Sequence, residues 1–275
     1  MTTVQKVIRY LALAFAIFLI ISIIGGVFAG LAGLSFFLSG RDRETVGEMR
    51  SFPIDGEFSS LSLELGAVKL KIRSADTFSV ESNHNHLAVK VADGQLYIDE
   101  TRKPFWFSAK GATVILNVPA DFVFDNATIH TGAGKVEIDT LSVNVLDLDL
   151  GAGKADIGAL TVNTRADIDG GAGALSISGG RLCNLDLDMG VGNLSLRSRI
   201  EGDSVLDFGV GRTDLTLLGT REDYRIELDK GVGAATLEGE AMQEDAVYGN
   251  GGNRLKIDGG VGSVHVDFVD IQNAA

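Results

Sequence analysis

The sequence predicts an all-β chain: a parallel β-solenoid (β-helix-like) of about eight short coils, preceded by one N-terminal transmembrane α-helix. Three observations carry this expectation. An uncharged apolar run of 28 residues occupies Leu11–Leu38, a Gly-Ala-Gly or Gly-Val-Gly triplet recurs seven times, and aliphatic and polar residues alternate around each triplet. Composition agrees with a packed fold. With 35 Gly, only 3 Pro and 45% hydrophobic residues, collagen, Pro-rich linkers and disordered chains are excluded.

Crossing a bilayer core takes about 20 apolar residues. Residues 11–38 are therefore read as a transmembrane helix, 1–10 as a cytoplasmic N-terminus and 39–52 as a charged stalk. Adjacent Gly25 and Gly26 weaken the helix and would place a bend there. The rival reading is a cleaved signal peptide, with Leu11 to Ile24 as its apolar region and Val27-Phe28-Ala29 before the cut. The run continues through Phe36-Phe37-Leu38, which favours an uncleaved anchor. Lys6 and Arg9 before the span, against Arg41, Arg43 and Arg50 after it, do not set the orientation. A long domain is translocated largely regardless of flanking charge, so the bulk of the chain is placed outside the cytoplasm, on a single-pass cell-membrane protein. Gly26 and Gly30, with Gly25, Ala29 and Gly33, form a small-residue stripe of the kind that brings two spanning helices together as a homodimer. The alternative is that glycine is simply common in such helices.

Residues 53–130 read as an N-terminal β part. Phe78–Ser82, Leu87–Val91 and Leu96–Asp99 have strand character, with Asp93-Gly94 a hairpin turn. Thr113–Val118 is a further strand stopped by Pro119. A degenerate copy of the repeat runs from Leu61 to Ile72, where Val68 replaces the second glycine.

Residues 131–270 are the repeat array. The triplets begin at 132, 151, 171, 190, 209, 231 and 260, so the steps are 19 or 20 residues until the last two, which are 22 and 29. Three positions before each first glycine stand Ile129, Leu148, Ile168, Leu187, Leu206, Leu228 and Ile257; six after it stand Ile138, Ile157, Ile177, Leu196, Leu215, Leu237 and Val266. The two sets differ in parity, so a straight strand would send them to opposite faces. The chain must turn near the second glycine, where positive φ is accessible. Each unit becomes strand, corner, strand and a looser return. A unit this short cannot bury a face alone and must stack on its neighbours. A β-sandwich of hairpin-like units is the runner-up fold. Residues 239–253 read as a loop inserted in the last repeat.

The units Thr131-Gly132-Ala133-Gly134-Lys135-Val136-Glu137-Ile138, Asp149–Ile157 and Gly260–Val266, with the Asp223–Leu228 run, resemble the bacterial "putative adhesin" domain family. The likeness spans about residues 54–268. It implies a β-solenoid-like ectodomain, commonly membrane-anchored by one N-terminal helix, and no established catalytic residue.

Candidate sites each have a plain alternative. Asp149, Asp169, Asp188, Asp207, Asp229 and Asp258 all stand two residues before a first glycine, with His130 in the first triplet unit. Stacking would make them a carboxylate ladder, serving either as Asx caps of the corner amides or as ligands for a cation such as calcium. The residue after Gly170-Gly171-Ala172-Gly173-Ala174 is Leu175, which breaks the calcium nonapeptide pattern, so turn capping is the expectation and no metal is assigned. Gly132-Ala133-Gly134-Lys135 and Gly151-Ala152-Gly153-Lys154 lack the spacing of a phosphate loop, and no dinucleotide fingerprint is present. His84 and His86 share a strand face, read as solvated for want of a third ligand. Phe105-Trp106-Phe107 is read as a capping plug, and the single cysteine, Cys183, as inert. Neither catalytic residues nor cofactors are assigned.

With 24 basic against 37 acidic residues, the chain lacks the basic footprint of a nucleic-acid binder. The expected function is a non-catalytic binding or scaffolding module at the cell envelope, partnered by an envelope protein or wall polymer. An accessory regulator of envelope-stress signalling is the first alternative and a wall-polymer hydrolase the second.

Overall fold

The computed structural model describes residues 46–101, 111–243 and 246–270. Fourteen strands form one sheet, β1 (Val46–Phe52), β2 (Ser60–Ala75), β3 (Ser79–His84), β4 (Leu87–Ala92), β5 (Gln95–Glu100), β6 (Thr113–Pro119), β7 (Val123–Ile177), β8 (Gly180–Cys183), β9 (Leu185–Glu201), β10 (Asp203–Leu218), β11 (Tyr224–Leu237), β12 (Glu240–Ala241), β13 (Val247–Tyr248) and β14 (Asn253–Val269). Among the described residues the only helical element is a short 3-10 turn, Arg221–Asp223, and no helix is long and apolar enough to cross a membrane. Leu11–Leu38, Gly26, Gly30 and Phe105-Trp106-Phe107 lie outside the described residues.

Period-two patterning sets the strands. In β9, Leu185, Leu187 and Met189 are buried while Asp186 and Asp188 are exposed between them. The repeats then pair in the register their sequences share: Leu187 lies beside Leu206, Val191 beside Val210 and Gly192 beside Gly211. The degenerate copy joins the stack on the same terms, with Leu63 beside Ile129 and Val68 beside Gly134. Aliphatic side chains from both sets, such as Leu148, Ile157, Ile168 and Ile177, are nearly fully buried in one continuous core.

The corner is where sequence placed it. The second glycine of every triplet has positive φ, from +130° at Gly134 to +153° at Gly211. The pairing also skips the first glycine, passing from Met189–Phe208 to Val191–Val210, so the bend spans both glycines. The central residue is consequently turned off the core, and Val232 is 45% exposed.

Three features depart from expectation. The return is a strand and not a loose loop: Leu160, Val162, Leu182 and Ile200 are buried, and Val162–Leu182–Ile200 pair across successive coils. Val46–Phe52, read as stalk, is β1, paired antiparallel with β3 from Phe52–Val80 to Val46–His84. Arg50 stays exposed, and its guanidinium still ties β1 to the end of β3, donating to the carbonyls of His84 and Asn85 at 3.3 and 3.1 Å.

The third departure is the order of the last coils. β14 lies between β10 and β11, parallel to both, with Gly211, Gly262 and Gly233 in one row. The chain thus lays down its penultimate repeat one level too far, then returns to fill the gap. Asn253 seats the inserted coil: its Oδ1 accepts the Gly202 N–H at 3.2 Å and its Nδ2 donates to the Asp223 carbonyl at 3.1 Å. Buried Tyr224 holds the start of β11, its hydroxyl donating to the Leu218 carbonyl at 3.0 Å and accepting the Ile200 N–H at 3.4 Å.

At the other end, β5 pairs with the first half of β2 and β6 with the second half, making a split coil without a corner. Asp93 and Gly94 both have positive φ, as the expected β4–β5 hairpin turn requires. The aromatic plug consists of Phe58, Phe78, Phe122 and Phe124, with Phe78 4.8 Å edge-on from both Phe58 and Phe122. Only Phe122 and Phe124 are close in sequence; Phe58 and Phe78 reach them from elsewhere in the chain.

Candidate functional site

Stacking in register turns each sequence position into a column of side chains, and two outward columns carry the charge. The first is the strand before the corner. Asp169, Asp188, Asp207, Asp258 and Asp229 follow one another coil by coil, with Glu64 and His130 opening the same row. Neighbouring strands lie about 4.8 Å apart, so these carboxylates repel. Asp169 is held above the usual carboxylate range by partial burial and then by Asp188, Asp167 and Asp149. Asp207 is raised likewise, by burial and then by Asp258 and Asp188.

Compensation is local. Lys256 Nζ donates to Asp258 Oδ2 at 2.7 Å, Arg165 lies 3.1 Å from Asp167 and 3.5 Å from Asp186, and His130 Nε2 lies 3.6 Å from Asp147. Asp258 Oδ1 is buried without a hydrogen-bond partner. It lies beside Asp188, Asp207 and the half-buried Phe208 in a shallow groove of about 410 Å³.

The Asx caps expected of Asp149, Asp169, Asp188, Asp207, Asp229 and Asp258 do not form: among the described residues none of these side chains accepts a corner amide. The reason is the ladder itself. The chain stays in strand conformation through the triplet and the corner residues pair with the next coil, as Gly192 does with Gly211. Among the described residues no group of three His, Cys, Asp or Glu side chains is arranged to hold a metal.

The second column lies after the corner. Glu137 is gripped by three lysines from two coils, Lys135 at 2.6 Å, Lys69 at 3.1 Å and Lys71 at 3.2 Å. The Lys135 bond, then those of Lys69 and Lys71, outweigh partial burial and hold its carboxyl at about 2. Lys154 bonds Asp156 at 2.7 Å and lowers it below the ordinary value. Lys135 and Lys154 therefore serve ion pairs on the outer face, not a phosphate cradle. Lys71, Arg73, Glu137, Asp156, Ser176 and Ser178 border a groove of about 450 Å³ on this face. The clustering of Lys69, Lys71 and Lys135 around one glutamate was within reach of the repeat alignment, which puts Lys69 and Lys135 in one row.

Two histidines separate. His84 is 2% exposed and not solvated; its Nε2 lies 3.5 Å from Glu100 Oε1, itself on a side chain 6% exposed. His86 stands with its ring centre 6.3 Å away. No sequence signal joins Glu100 to His84, because the β3–β4 turn and the split coil bring them together. Cys183 is half-buried on β8, its thiol pushed up by burial and by Glu201, which makes it a poor nucleophile.

Residues 58–273 match the family model described as Toastrack DUF4097. No curated protein matches the chain. Among solved structures, a "putative adhesin" from Bacteroides fragilis shares the fold at a TM-score of 0.54 and 15% identity, covering 81% of this chain and 96% of that one. A "putative cell adhesion protein" from Clostridium sporogenes is 18% identical at a TM-score of 0.35, covering 81% of this chain and 99% of its own. A "putative lipid binding protein" from Parabacteroides distasonis is 12% identical at 0.29, with coverage of 81% and 96%.

Proposed function

We propose that this chain, which belongs to the Toastrack DUF4097 family, is a non-catalytic binding or scaffolding module of the cell envelope, held outside the cytoplasm on a Leu11–Leu38 membrane helix. One observation carries the reading: coil-by-coil register presents the same side-chain type at fixed spacing along a rigid face, as in Asp169–Asp188–Asp207–Asp258–Asp229. A partner with its own repeat, whether an envelope protein or a wall polymer, engages several such rows at once, and weak contacts then add. Charge is committed to holding the faces in shape, as at Glu137, and not to activating a nucleophile.

The test has three arms in intact cells. Protease added outside should release the domain, a photoreactive residue at Asp188 or Ser176 should give a discrete crosslink, and charge reversal at the neighbouring Asp169 with Asp207 should abolish the one formed from position 188. Protection from external protease, or a single carboxylate substitution that abolishes an enzymatic turnover, would defeat the reading. Dimerisation through the anchor is tested by Gly26→Leu with Gly30→Leu, which should lower crosslinking between copies.

A further inference from the structure

The first full coil lacks a corner beneath it, and the gap is closed by polar side chains. The Gly66 N–H, which in later coils would face another corner, donates to Glu100 Oε1 at 2.9 Å. His84 packs its Nε2 edge against the same carboxylate oxygen, and that nitrogen is buried without a hydrogen-bond partner. Its other nitrogen is committed: Nδ1 accepts the His86 N–H at 2.9 Å. A backbone N–H only donates, so Nδ1 carries no proton and the ring hydrogen resides on Nε2, facing Glu100. An imidazolium needs hydrogens on both nitrogens. It cannot form here without breaking the bond that shapes the turn between β3 and β4.

We propose that His84 is a proton-operated latch, which ties down the β3–β4 turn and the β4–β5 hairpin when neutral and releases them when it takes up a second proton. The charged groups around it come from each packed element: Glu100 from β5, His86 from the turn, and Arg50 from β1, whose guanidinium holds the carbonyls of His84 and Asn85. Burial first, with His86 and Arg50, lowers the proton affinity of His84 against the pull of Glu100. The released turn carries further bonds with it, since the His86 carbonyl accepts both the N–H and the hydroxyl of Thr101, at 2.8 and 3.0 Å. This inference does not depend on what the outer faces bind.

Native-state hydrogen exchange on the full chain tests it. Corrected for intrinsic rates, protection of the His86 and Thr101 amides should fall about tenfold per pH unit below the ordinary histidine value of 6.5. Amides of the β9–β10 coils should keep theirs. His84→Asn keeps an acceptor near the Nδ1 position but does not titrate, so its protection should be flat with pH, whereas His86→Gln should respond as the parent does. The latch is refuted by an unchanged protection pattern in the parent, by a response that survives in His84→Asn, or by one that disappears in His86→Gln. If His84→Asn fails to fold, a parent histidine titration by NMR decides: His84 should titrate below 6.5 together with the His86 amide, and a value at or above 6.5 overturns the proposal.

Discussion

A side chain on Gly153 would drive its first carbon into the carbonyl oxygen of Gly134, well inside that oxygen's van der Waals shell. The same relation recurs up the stack, Gly173 on Gly153, Gly192 on Gly173, Gly211 on Gly192, Gly262 on Gly211 and Gly233 on Gly262. Always the missing side chain points toward the preceding coil. Val68 is the exception that the rule accounts for: β5 and β6 flank it, leaving no corner beneath it to strike.

Gly153→Ala should therefore be severe, combining backbone strain at φ +138° with overpacking against backbone. Each contributes about 1–3 kcal/mol, so a loss of about 2–6 kcal/mol in denaturant unfolding is expected. Gly252→Ala meets nothing within 4 Å and should stay within about 0.5 kcal/mol of the parent.

The three-lysine grip on Glu137 makes acid stability specific. Its folded value of about 2 lies below the ordinary 4.5, so its contribution is complete above 4.5 and lost as pH falls through 2. Unfolding midpoints of Glu137→Gln should lie below the parent's at pH 6, converge with them between 4.5 and 2, and coincide below that range. A constant offset at all pH values would assign the loss to packing instead.

Asp207 should behave in the opposite sense. Its folded carboxyl is raised by burial and by Asp258 and Asp188, so the charged form is disfavoured in the native state at neutral pH. Asp207→Asn should stabilise by about 0.2–1 kcal/mol at pH 7, the cost of like charges on facing strands. An amide at this position also offers a donor near the unpartnered Asp258 Oδ1. The gain should fade as pH falls and the parent's carboxyl becomes protonated. Destabilisation at neutral pH would mean that the carboxylate is in use as a ligand or bonding group.

What the sequence made legible follows from how local each cause is. Alternation around Leu146-Asp147-Leu148 and the parity change across Gly151–Gly153 are set within one repeat, and the strands flanking each triplet and the corners between them lie where the sequence put them. The β4–β5 turn at Asp93-Gly94 is equally local. The exchange of β11 and β14 is not, because every coil offers the same Gly-x-Gly surface above and below, and nothing in one repeat distinguishes its neighbour. Its only trace is the longer step between Gly231 and Gly260, which provides chain for the return. The site divides similarly: the aspartate column was visible in the alignment, but its Asx role was not realised, since strand pairing continues through the corner. The Glu100–His84 pair and the four-phenylalanine plug depend on long-range packing at the split coil.

Interleaving of the last coil is best tested by disulfide trapping with Cys183→Ser as the background. Asp214 lies beside His265 on the adjacent strand, within the separation a disulfide spans, whereas Thr236 is a further strand away. Under mild oxidation, Asp214→Cys with His265→Cys should crosslink readily and Asp214→Cys with Thr236→Cys should not. Efficient closure of the Asp214–Thr236 pair, with none at Asp214–His265, would mean that the repeats stack in chain order and that the inserted coil does not exist.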